Sequence, residues 1–162
     1  MDIPTTTLIN SIVVLLTEAY AGPPDPKATW FIDNEPNSGI LGQLENVSAE
    51  EASTPIDNKG EPGTTIASHT EHLCWSLANA NAAMRGEQYN PNWGESWKLL
   101  QADSEAWDRL RSSLRAEFEA MCQGLKSQTD LEGDYFLGVL ALVPHAAYHL
   151  GTIRQMIERV RG

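Results

Sequence analysis

Val139-Leu140-Ala141-Leu142-Val143-Pro144-His145-Ala146-Ala147-Tyr148-His149-Leu150-Gly151-Thr152-Ile153-Arg154 is the stretch on which the fold turns. Across and around it, Phe136, Val139, Leu140, Val143, Ala147, Leu150, Ile157 and Val160 form an apolar stripe, the signature of one helix face. The pattern predicts a last helix over about residues 131–160. Glu132 and Asp134 sit at its start, and Arg154, Arg159 and Arg161 near its end, each sign matched to the helix dipole. Pro144 lies inside the pattern. A proline there removes one backbone hydrogen bond and either kinks the helix or splits it in two. It stands immediately before His145, so it bears on the angle at which His145 and His149 point inward.

Working back along the chain, three more helices are expected. Ile9, Ile12, Val13, Leu16, Ala19 and Tyr20 mark one face of a first helix over about residues 4–21, opened by Pro4 and ended by Gly22-Pro23-Pro24. Thr64 or Thr65 caps a second, with Ile66, His69, Leu73, Leu77, Ala80 and Met84 inward and Gly86 as its stop. Asp103 or Ser104 opens a third, striped by Trp107, Leu110, Leu114, Phe118, Met121 and Leu125. Residues 22–64 are rich in Pro, Gly, Asn and Asp, a long connection of the kind that tends to be functional. Ser48-Ala49-Glu50-Glu51 is a capping signal for a short helix within it, and Trp30 and Phe31 are expected to pin it down. Glu87 to Trp97 is expected to be a loop anchored by Trp93 and Trp97. Four helices without a strand pattern give an all-α four-helix bundle, a single domain spanning residues 1–162.

Composition narrows the function. The chain has 162 residues, 41% of them hydrophobic, enough for one sizeable core. A net charge of −11 argues against nucleic acid and anionic membrane as partners. The longest apolar runs, Ile12 to Leu16 and Val139 to Val143, are too short to span a bilayer. No basic segment precedes an apolar run at the N-terminus, which predicts a cytoplasmic protein. Cys74 and Cys122 fall on different helices and are expected to be buried free thiols.

The four histidines, His69, His72, His145 and His149, all fall in apolar helical segments. His145 and His149, four residues apart, share a helix face one turn apart, as two ligands of one ion must. His69 and His72, three apart, can also share a face. A lone core histidine is ordinarily a satisfied polar residue without a metal. Burying four of them unpaired is costly, and facing helices can bring them together on an ion. Imidazole suits Zn, Ni, Fe and Cu alike. Glu71 and Tyr148 are expected at the surface, Cys74 turned away from His72, and Gly151 at a close helix approach. Arg154 is expected to complement the dipole or reach a pocket mouth.

Pro144 to Gln155 resembles the last-helix motif of the DinB/YfiT-like superfamily. Thr65-Ile66-Ala67-Ser68-His69-Thr70-Glu71-His72-Leu73 resembles the second-helix segment where that family sets a His-Leu or His-Ile pair. Helix order and chain length agree, so the resemblance covers nearly the whole chain. It implies a divalent transition metal (Zn, Ni or Fe) held by His72, His145 and His149. His69 is then a pocket-lining group or one standing behind the ligands, with acid/base work as another role. The implied activity is that of a metal-dependent thiol S-transferase or a thiol-dependent isomerase acting on a small molecule, and a hydrolase, in which the ion acts on water instead of a thiol, is a further reading. The alternative is a non-catalytic metal-binding or stress-related bundle. A homodimer is implied by the same analogy.

Overall fold

The computed structural model describes residues 3–57, 60–130 and 133–162, and among these the chain is all-helical with no strand. The elements are α1 (Thr5–Ala21), α2 (Ile40–Glu45), α3 (Ala49–Ser53), α4 (Ile66–Met84), a 3-10 turn (Trp93–Trp97), α5 (Ser104–Ser127) and α6 (Gly133–Arg161). Their starts follow the side-chain chemistry. Thr65 accepts from the Ser68 N–H, and Asp103 from the Ala106 N–H. Ser48 and Glu51 form a reciprocal capping box. α1 ends where Gly22 takes φ 99°, a conformation that costs other residues a steric penalty. Leu131 and Glu132, expected at the start of the last helix, lie outside the described residues.

Among the four long helices, α5 and α6 each pack against both α1 and α4, while no Cα of α1 comes within 8 Å of one of α4. The buried core joins Ile9, Ile12, Val13, Leu16 and Tyr20 of α1 with Leu73 and Leu77 of α4. Leu114, Phe118 and Met121 of α5 and Leu150 and Ile153 of α6 complete it. The stripes expected for α1 and α5 are the ones that face inward, with Leu110 half-buried. α6 differs. Its buried face runs through Val139, Leu142, Ala146, His149, Leu150, Ile153, Met156 and Ile157, while Leu140 is exposed. The helix is apolar nearly all round, so spacing alone could not choose its inward side. Gly151 is exposed with open space where a Cβ would stand, and so marks no close helix approach. Pro144 does not split α6, which runs as one helix without a break.

No Asp, Glu, Lys or Arg interrupts α6 between Asp134 and Arg154. By length and composition it is therefore apolar enough to cross a membrane, which its shorter uninterrupted runs did not suggest. A third of that apolar window is buried in the protein.

The long connection is fastened by ions rather than by its aromatics. Trp30 is 73% exposed and Phe31 is exposed too, so neither pins it. Instead Glu18 of α1, fully buried, accepts from the backbone N–H groups of Trp30, Phe31 and Ile32 at 2.8–3.1 Å. Arg154 of α6 does not reach a pocket mouth; it pairs with Asp33 at 2.6 Å and donates to Ser38 O at 2.6 Å. Arg161 pairs with Glu51 at 2.8 Å and donates to Asn46 O. α2 and α3 are thereby laid on the long helices, and Trp107 Nε1 donates to Val47 O at 2.7 Å.

Glu18→Ala should cost about 2–4 kcal/mol, because it strands several backbone donors that now share one carboxylate. Urea unfolding checks the loss. Limited proteolysis should cut faster in residues 22–39 while the helical circular dichroism stays. Unchanged cleavage there would show that the carboxylate does not hold the segment.

Candidate metal centre

α4 and α6 lie side by side, and their packing faces bring the four histidines into one cluster. One ring nitrogen from each of His72, His145 and His149 lies within 4.8 Å of the others. His69, His72 and His149 are buried, between 2 and 5% exposed, and His145 is half-buried. The spacing placed each pair on its face. Only the packing of two distant segments brings the pairs together.

The hydrogen bonds behind the rings determine where the protons sit. His69 Nε2 lies 3.0 Å from Gly63 O, and a carbonyl can only accept, so this nitrogen carries the proton. In the neutral ring His69 Nδ1 is then an acceptor. It stands 2.8 Å from His149 Nδ1, which therefore donates. A second chain does the same for His72. The Ser96 hydroxyl donates to Trp93 O at 2.7 Å, so its oxygen accepts from His72 Nδ1 at 2.7 Å. Both chains leave Nε2 of His72 and of His149 with a bare lone pair, the form that binds a cation.

His145 completes the set. Its Nε2 lies 3.0 Å from His72 Nε2. With His72 Nε2 bare, His145 Nε2 holds the proton between them, and transfer of that proton to Nδ1 frees a third lone pair. Nitrogens bound to one tetrahedral ion at about 2.0–2.1 Å stand about 3.3 Å apart, so this pair already has close to ligand spacing. The residues fit a metal ion. They supply three neutral nitrogens of intermediate softness and no carboxylate, as an open transition-metal site does.

Burial also keeps the rings neutral. Loss of solvation, and then the nearby His145 and His69, pull His72 down to about 4. Loss of solvation, and then His145, His69 and His72, pull His149 down to about 2. Burial lowers His69 and His145 as well.

The cover of the site comes from a segment whose sequence predicts only a loop. Trp97 of the 3-10 turn stacks on His72, with centroids 4.0 Å apart and planes 15° apart, and its ring is 5.9 Å from His149. Trp93 lies 5.6 Å from His72 and 6.3 Å from His145, but is itself 56% exposed. Glu71, expected to be solvated, is half-buried and accepts from the Leu99 N–H at 2.7 Å, tying down the residues just after the turn. Ser96 and Glu71 are the contributors that sequence reasoning missed, and Trp97, expected to anchor the loop, stacks on His72 as well. The tryptophans near the histidine helix were the available signal, and nothing in the spacing pointed to Ser96. Tyr148 is exposed as expected and meets His149 edge-on. Cys74 and Cys122 are free and half-buried, and burial holds both thiols protonated, Cys74 at about 11.

No protein-family model, curated protein or solved structure matches the chain, so the site rests on its own geometry.

His145→Ala/His149→Ala should abolish metal uptake by elemental analysis of protein purified without a His-tag. Ser96→Ala should weaken it about tenfold or more, since it removes the acceptor that orients His72. Metal content unchanged in the double variant would eliminate the site.

Stability should also depend on pH. His72 titrates at 6.5 unfolded and about 4 folded, so between those values the unfolded chain binds more protons. Metal-free protein should therefore lose stability as pH falls from about 6.5 towards 4, and this contribution should be flat above 6.5. Urea midpoints across that range check it, and the slope should be shallower in His72→Phe.

Proposed function

We propose that the chain is a DinB/YfiT-type four-helix bundle that holds one divalent transition metal, Zn, Ni or Fe, on His72, His145 and His149. We take its activity to be that of a metal-dependent thiol S-transferase or hydrolase. The observation that carries this reading is the convergence of three ring nitrogens within 4.8 Å, two of them with their proton fixed on the far side. When bound, the ion would supply Lewis acidity, lowering the pKa of a thiol or of water at a position that the three histidines leave free.

The protein's own residues supply orientation and exclusion of water. Gly63 O and His69 hold the His149 ring, and Ser96 holds the His72 ring. Trp97 excludes water from the face of His72. His69 is a positioning residue in this reading, because both its nitrogens are engaged by Gly63 O and His149. Half-buried His145, beside exposed Trp93, marks the side from which a small molecule would approach.

The close cover favours a second reading, a non-catalytic metal-binding or stress-related bundle. His72 and His149 are buried and Trp97 lies over them. Either form is taken as a cytoplasmic homodimer. Exposed Leu137, Leu140 and Tyr148 on α6 are an apolar surface for a second copy.

Metal-loaded protein is expected to turn over a panel of thiol plus electrophile, or one of esters and amides, with loss of at least a hundredfold in His145→Ala/His149→Ala. His69→Gln should lower metal affinity more than it alters the pH profile of turnover. One bound metal per chain without turnover on either panel would favour the non-catalytic reading.

A further inference from the structure

A cavity of about 560 Å³ opens between α4 and α6, on the two helices that carry the histidines. Trp75, Trp93, Tyr89 and Tyr135 give it aromatic walls. Small residues leave room along its lining: Ala80 and Ala83 on α4, and exposed Gly138 on α6, where a Cβ would meet nothing within 4 Å. Trp93 is a shared wall. It lies 5.1 Å from Trp75 in the cavity and 5.6 Å from His72 in the metal centre. A molecule in the cavity would therefore stand one indole away from the histidines.

Two polar groups of the lining are unsatisfied. The Tyr135 hydroxyl and Asn79 Nδ2 are both buried without a hydrogen-bond partner, although Asn79 Oδ1 accepts from the Asn90 N–H. Both atoms lie out of reach of even a water-sized molecule, so they add no donor to the cavity surface. The one charged residue among the lining, Asp134, is acidic, and the whole chain carries −11. Anions are disfavoured here on both counts. Aromatic walls favour a flat ring.

We propose that this cavity binds an uncharged aromatic molecule, such as an aryl ketone. As a binding site it stands independently. As the place for the electrophilic partner of the histidine centre it rests on the function proposed above. An acidic, aromatic-walled cavity suits the uncharged electrophile rather than an anionic thiol.

The test uses the uncharged fluorescent aryl ketone prodan, titrated into full-length protein both stripped with a chelator and loaded with zinc. Saturable binding with quenching of tryptophan emission is expected in both forms. Gly138→Leu should weaken it at least tenfold by occupying the space beside this lining residue, while zinc content by elemental analysis stays the same. Ala83→Leu makes the same test from the opposite helix. Naphthoate, an anion of similar size, should compete at least tenfold less well than prodan. The proposal is overturned if wild-type protein shows no saturable binding. It is equally overturned if both filling variants bind as wild type, or if naphthoate competes equally. Prodan binding without zinc uptake would remove the metal reading alone, and zinc uptake without prodan binding would remove the cavity alone.

Discussion

Imidazole burial is the constraint around which this molecule is arranged. A neutral imidazole has one donor and one acceptor, and taking either out of water without a partner is costly. Four such rings are packed between α4 and α6. Gly63 O fixes the proton of His69, the Ser96 hydroxyl that of His72, and the His69 ring in turn that of His149. What remains inside is a concentration of lone pairs, and a cation satisfies that surplus better than a single shared proton does. The low proton affinity of His72 and His149 has the same origin, since a charged ring there is poorly solvated and repelled by its neighbours.

Much of the remaining structure holds that arrangement in place. The 3-10 turn brings Ser96 and Trp97 onto His72 together, one as a hydrogen-bond acceptor and the other as a stacked cover. Glu71, one residue before His72, secures Leu99 just beyond the turn. Gly63, whose carbonyl fixes His69, takes φ 82° and packs against Trp97. The end of the long connection and the turn after α4 therefore meet at the same cluster. Further away, Glu18, Arg154 and Arg161 fasten the rest of the connection to α1 and α6. These are charged groups engaging backbone, stronger than exposed ion pairs of the same length.

The aromatic cavity and the histidine cluster are built from the same two helices and share Trp93 as a wall. One is rich in ring lone pairs; the other is walled by aromatic and small apolar residues. The exposed position of Trp93 puts that wall within reach of solvent.

The number of long helices, the inward faces of α1 and α5, and the caps at Ser48, Thr65 and Asp103 were legible in the sequence, because they depend on local periodicity and on side chains reaching their own backbone. The histidine pairs were legible for the same reason: a spacing of three or four places rings on one face. The inward side of α6 was not, since a helix apolar all round presents several equivalent stripes and only its packing selects one. Neither the fastening of the connection by Glu18 nor the roles of Ser96, Trp97 and Glu71 could be read locally. Each joins residues that are separated in sequence, and such contacts exist only once the chain has folded. Sequence alone thus determined which side chains were available to bind a cation, while tertiary structure decided that they meet and which nitrogens are free.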